Sequence, residues 1–109
     1  MIELNPLGRL PYRRIRVRGA SMAPTLKDGD VVLVRNRRTP RTGDVVVVTW
    51  VGRPGQLSVK RATEQQGGGW HVEGDNTFAS TDSRELGPAD VHGVVVARFW
   101  PQPRLLSSR

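Results

Sequence analysis

Val45-Val46-Val47-Val48, continued by Thr49-Trp50-Val51 and followed by Gly52-Arg53-Pro54-Gly55, decides how this chain folds. Side chains alternate across a strand, so four consecutive valines leave neither face polar, and both faces of the segment must be covered. A short β-branched run bounded by Gly, Asp and Pro is therefore read as a central strand, with Gly52-Arg53-Pro54-Gly55 as the turn into the next strand at residues 57–63. Working outward, residues 14–18, 31–35, 70–73 and 94–100 are also short, valine-rich or alternating in polarity, and separated by Gly, Pro, Asp or Asn. Six such strands predict a mostly β chain with a small coiled-sheet or barrel-like fold. Residues 82–91 have room for a helical turn or two. Gly67-Gly68-Gly69 reads as a flexible connection, since no strand-loop-helix context makes it a phosphate loop.

The 109 residues suit a single domain, 1–109, whose ends at 1–13 and 101–109 are expected to be poorly ordered. Hydrophobic residues make up 37% of the chain, enough for one small core. There is no cysteine, so disulfides, thiol catalysis and cysteine-ligated zinc are excluded. The first twenty residues carry Arg9, Arg13, Arg14, Arg16 and Arg18, and they lack the ~7–15 apolar residues of a signal peptide or the ~20 of a membrane span. A soluble, cytoplasmic protein without a transmembrane segment is expected. The net charge of +7 favours acidic partners, nucleic acid or anionic membranes by long-range attraction, which is a bias and not a function.

The basic residues are fifteen arginines and only two lysines, so a position chosen for charge alone would most often be Arg. Lys60, beside Arg61, is the exception of interest. Arginine stays charged at every accessible pH, whereas a desolvated ammonium can be neutral near pH 7 and act as a general base. On its strand Lys60 shares a face with Ser58 and Ala62, small residues that leave room for an amine, while Leu57, Val59 and Arg61 point the other way. Upstream, Gly19-Ala20-Ser21-Met22-Ala23-Pro24-Thr25-Leu26 sets a hydroxyl in a tightly shaped loop ahead of an apolar strand. A serine hydroxyl is a poor nucleophile until a base takes its proton, and neutral lysine is such a base. Ser21 and Lys60 together read as a serine-lysine dyad.

That loop, then Gly29-Asp30-Val31-Val32, Gly43-Asp44-Val45-Val46, Val59-Lys60-Arg61, and Gly74-Asp75-Asn76 with Ser80-Thr81-Asp82-Ser83-Arg84, resemble in order the boxes of the type I signal peptidase family. The resemblance runs from about Val17 to Trp100. It implies a mostly β fold shared with the self-cleaving repressor proteases, with Ser21 as nucleophile and Lys60 as general base. It further implies that Ser80 hydrogen-bonds and orients the lysine while Asp82 and Arg84 form a supporting ion pair. Some family members place a second oxyanion donor, a serine, two positions before the nucleophile; this chain has Gly19 there, which leaves the backbone N–H of Ser21 as the expected donor. Gly19 permits close approach of a substrate backbone, Met22 packs beneath the nucleophile, and Pro24 stiffens the loop behind it. Only thirteen residues separate Lys60 from Gly74, and no anchor is evident. In this the chain most resembles the soluble maturation proteases of nickel-type superoxide dismutase, which implies a precursor protein as substrate and removal of its N-terminal propeptide, without a cofactor or metal.

Three other readings compete. Exported proteins could be the substrate, as for a general signal peptidase. A histidine triad could be built from His71 or His92 with Asp75 or Asp82, but neither histidine sits in a recognisable acid-base motif; His71 reads as a strand surface residue and His92 as a turn residue before Gly93. The third is a basic nucleic-acid-binding β module using Tyr12-Arg13-Arg14, Arg16, Arg18 and the basic loop at 35–41. Against it, aromatic residues are not interleaved with a basic strand face, so no specific nucleic acid is expected.

Overall fold

The computed structural model describes residues 11–106 and the backbone of the two-residue strand β1 (Ile2–Glu3). The remaining strands are β2 (Tyr12–Arg16), β3 (Val31–Asn36), β4 (Val45–Trp50), β5 (Arg53–Gln66), β6 (Gly69–Glu73), β7 (Asp90–Trp100) and β8 (Arg104–Leu105). They form one antiparallel sheet in the order β1-β2-β3-β7-β4-β5-β6, and β8 pairs with β7. The mostly β fold expected from the sequence is thus observed. The two ends of this order, β1 and β6, do not pair, so the sheet coils without closing into a barrel.

The valine run behaves as its alternation demands. Val45 and Val47 belong to one buried cluster with Ile15, Val17, Met22, Leu26, Val32, Val34, Val59 and Val95. Val46 and Val48 belong to a second, with Trp50, Ala62, Val72, Ala89 and Val94. All four valines are essentially inaccessible to solvent, and β4 is flanked by β5 and β7. Burial of each such side chain is worth about 1.5–3 kcal/mol, so this strand is the hydrophobic axis of the fold.

Three local expectations are corrected. The turn after β4 is Val51-Gly52, not Gly52-Arg53-Pro54-Gly55, because Trp50 already pairs with Arg53. Pro54 and Gly55 therefore lie in β5, which β6 covers only from Arg61 onward. A strand with one unpaired flank tolerates the missing N–H of proline. Gly67-Gly68-Gly69 is not a loose connection: Gln66 pairs with Gly69, and a Cβ on Gly69 would stand 2.6 Å from the Ala89 carbonyl oxygen. His92 lies inside β7, not in a turn, with its Nε2 2.7 Å from Thr49 Oγ1. Of the chain ends, residues 1, 4–10 and 107–109 lie outside the described residues. Among the rest, β8 pairs with β7, and the Leu106 N–H donates to the Val96 carbonyl at 2.9 Å.

Gly29-Asp30 and Gly43-Asp44 are turns of one design. Each glycine has a positive φ, 90° and 93°, which an L side chain seldom adopts. Each aspartate accepts from a backbone N–H three residues back, Lys27 to Asp30 at 2.9 Å and Arg41 to Asp44 at 2.8 Å. The first turn closes the loop that carries Ser21, through Val17 N–H to the Asp30 carbonyl and Gly29 N–H to the Val17 carbonyl, both 2.8 Å. The second clasps β5 beside Lys60, through Gly43 N–H to the Ala62 carbonyl and Ala62 N–H to the Asp44 carbonyl, again 2.8 Å.

Candidate active site

Ser21 sits on a loop pinned from below. Met22 and Leu26 are buried in the first core cluster, and the Leu26 N–H donates to the Met22 carbonyl at 2.9 Å. Packing of these two residues holds Ser21 at the rim, half-buried. Gly19 has φ 84°, and its N–H donates to Asp28 Oδ1 at 2.7 Å. That donor is therefore already engaged. The Ser21 N–H has no partner among the described residues and is free to serve an oxyanion.

Lys60 reaches the same cavity from β5, where it pairs with Val46. The cavity, about 280 Å³, is lined by Ser21, Lys60, Leu57, Ser58, Arg53 and Ala79 among others. Only 5% of Lys60 is exposed. Burial pushes its ammonium below the ordinary value of 10.5, Asp82 opposes that shift, and Arg53 and Arg84 add to it. The Nζ donates to Ser80 Oγ at 3.2 Å. Parity holds only in part: Ser58 shares the cavity with the amine and Arg61 is not among its lining residues, but Leu57 and Val59, expected on the opposite face, also line it, and Ala62 is packed into the second core cluster.

Ser80 is itself held. Its hydroxyl donates to Asp82 Oδ2 at 2.5 Å and accepts from the Gly74 N–H at 3.1 Å. With its own proton committed to Asp82, Ser80 presents a lone pair to the lysine. Asp82 is fully buried, and its carboxylate also accepts from Gly74 N–H at 2.9 Å, Arg84 Nε at 2.9 Å and Arg84 Nη2 at 2.7 Å. Burial alone would favour the neutral acid, but the hydrogen bonds from Arg84, Ser80 and Gly74 outweigh it and hold the carboxyl well below its usual range. Asp82 also caps the short helix α1 (Ser83–Leu86). The Asp82–Arg84 pair and the Ser80 contact implied by the family resemblance are both present.

A second network escaped the sequence reading. Arg61 clamps Asp75 with Nε to Oδ1 at 3.1 Å and Nη2 to Oδ2 at 2.6 Å, and gives Nη1 to the Gly43 carbonyl at 2.9 Å. Asp75 also accepts from Thr25 Oγ1 at 2.6 Å. One buried bidentate pair thus joins the serine loop to the lysine strand. Asn76 adds its N–H to the Ser21 carbonyl at 2.8 Å and its Nδ2 to the Ala20 carbonyl at 3.1 Å. Gly74-Asp75-Asn76 was legible as a box, but its use as a staple was not. The histidines take no part: His71 Nε2 lies 2.8 Å from Glu73 Oε2 and His92 beside Thr49, and neither lines the cavity. Two arginines from the basic segments of the nucleic-acid reading lie over the protein's own rings, Arg14 5.2 Å from the Phe99 centroid and Arg35 5.0 Å from that of Tyr12.

The Peptidase S24-like family profile matches residues 11–96. The mitochondrial ATP-independent inner membrane protease subunit 1a of Arabidopsis thaliana is 36% identical over 86 residues, 67% of this chain and 50% of that protein. Subunit 1b from the same plant is 28% identical over 130 residues, 92% of this chain and 75% of that protein. The chain spans about half the length of the first of these relatives.

Proposed function

Because this chain belongs to the Peptidase S24-like family, we propose that it is a serine endopeptidase in which Ser21 is the nucleophile and Lys60 the general base. The observation that carries this reading is the Lys60 amine, buried on the wall of the Ser21 cavity, pushed toward neutrality and held by Ser80. With one N–H committed to Ser80, the amine has its lone pair available for the Ser21 proton. Lys60 takes that proton as Ser21 Oγ bonds to the scissile carbonyl carbon, and the resulting ammonium returns it to the departing amine. The Ser21 N–H supports the oxyanion. Water, deprotonated by Lys60, then releases the acyl group.

The substrate is a precursor polypeptide bound extended in the cavity. β5 offers it a free edge, since β6 pairs only from Arg61 while Leu57, Ser58 and Val59 line the cavity opposite the serine loop. Propeptide removal from nickel-type superoxide dismutase in the cytoplasm is the specific reaction proposed, on the compact Lys60-to-Gly74 spacing. The names of the two plant relatives favour a second reading, leader processing of proteins at a membrane. Among the described residues no helix is long and apolar enough to cross a membrane.

The test is incubation with a nickel superoxide dismutase precursor and with a leader-bearing precursor, reading new N-termini by mass spectrometry. Ser21→Ala and Lys60→Arg should each abolish cleavage without unfolding the protein. Full activity of Lys60→Arg, which keeps the charge but cannot become neutral, removes lysine as the base.

A further inference from the structure

Ser21 and Lys60 account for only part of their cavity. Its wall also includes Arg18, on the serine loop, and Arg53, on β5, and it includes no Asp or Glu. Arg61 and Arg84, which belong to the networks around the site, are instead paired with Asp75 and Asp82. Arg53 is half-buried yet has no acidic partner among the described residues. It lies seven positions before Lys60 in an extended strand, about 23 Å along the backbone at ~3.3 Å per residue. It nonetheless lines the same cavity as Lys60, and its charge acts on the amine there.

From this placement we propose that Arg53, assisted by Arg18, is a specificity-determining residue that selects substrates carrying an acidic side chain within a few residues of the scissile bond. The inference rests on the peptidase reading and names its substrate class. In the working enzyme Lys60 is neutral, so the fixed charge on the cavity wall is that of the two arginines. A partly desolvated guanidinium without a counterion is satisfied best by a carboxylate, which it can grip bidentately. An extended substrate beside Leu57 and Ser58 runs along β5 toward Gln56 and Arg53, so the carboxylate it presents belongs to a residue close to the cut. A lysine at that position would meet like charge and be rejected.

The bound carboxylate has a second effect. Three charges act on Lys60: Asp82 raises its pKa, while Arg53 and Arg84 lower it. Neutralising Arg53 relaxes one of the two depressing charges, so the acid limb of kcat should lie at higher pH for an acidic substrate than for its neutral counterpart.

The experiment is cleavage of a peptide set in which each position flanking the cut is Glu, Gln or Lys. One position should favour Glu over Gln by roughly tenfold in kcat/KM, the scale of a charge-assisted contact partly shielded from water, with Lys poorest. Arg53→Gln should erase the Glu-over-Gln preference, and Arg53→Glu should reverse it toward Lys. Equal rates for Glu and Gln at every position, with cleavage still abolished by Ser21→Ala, overturn the proposal and leave the peptidase intact. The Ser21→Ala protein is also titrated with labelled Glu and Gln peptides by fluorescence anisotropy. If wild type cleaves nothing, but Glu peptides bind more tightly through Arg53, the peptidase reading fails and carboxylate recognition stands. If Glu peptides bind no more tightly than Gln peptides, recognition fails.

Discussion

Gly74→Ala should damage catalysis out of proportion to its size. A Cβ at Gly74 would stand 2.6 Å from the Ser21 carbonyl oxygen and closer still to Ser80 Oγ, both inside ordinary contact distance. Relief requires a shift of about 0.8 Å or more in the backbone of the nucleophile, or in the hydroxyl that holds the lysine. Either displaces half of the proposed dyad. A misplacement near 1 Å costs about 100-fold, so kcat/KM should fall by roughly that factor. Overpacking typically destabilises by about 1–3 kcal/mol, partly offset by the ~0.4–1 kcal/mol that Ala gains over Gly by restricting the unfolded chain. The net loss of about 1–2 kcal/mol should lower Tm by roughly 4–16 °C in a domain of this size. Steady-state kinetics on a cleavable peptide and differential scanning calorimetry read the two effects. Gly68→Ala is the control, because a Cβ there meets nothing within 4 Å, and it should change neither. Wild-type kcat/KM and Tm in Gly74→Ala would refute the claim that this glycine sets the distance between the serine loop and Ser80.

Other outcomes follow from the same geometry. The rate should rise with pH through a lysine pKa below 10.5, and His71→Gln and His92→Gln should leave that profile in place when pH-rate curves are compared. Ser80→Ala removes the hydrogen bond to Nζ and should lower kcat about 10- to 100-fold, measured by single-turnover cleavage. Asp82→Asn removes the charge that raises the Lys60 pKa, so the acid limb of the residual activity should move to lower pH. The same variant should lose about 1–3 kcal/mol at neutral pH by urea denaturation. Because the native Asp82 pKa is depressed, that stabilisation is complete above the ordinary value of 3.8 and is lost as pH falls toward the native value, so the gap between variant and wild type should close in acid.

The strands were legible in sequence because their signal is local. Four valines need cover on two faces wherever they occur, and they received it from two clusters on opposite sides of β4. Ser21 and Lys60 could be singled out for a similar reason: residue type limits chemistry, and a lysine among arginines is the one base that can become neutral. The turn after β4 was misplaced because Pro and Gly ordinarily break strands; the flank left unpaired by β6 permits them inside β5.

The staples belong to a different order of information. Thr25 and Asp75 are fifty positions apart, and nothing in the pattern around either names the other. Nothing in the sequence around Arg61 or Asp75 pairs the two, yet they are buried against each other between the serine loop and the lysine strand. Gly74 looks like any turn glycine until Ser21 and Ser80 are brought against it. Arg53 and Arg18 become a common feature only when the coiled sheet lays β5 beside the serine loop. Periodicity records which face of a segment is buried, and residue chemistry records what a side chain can do. The partner across the fold depends on how the strands are ordered and registered, which no short window of sequence contains.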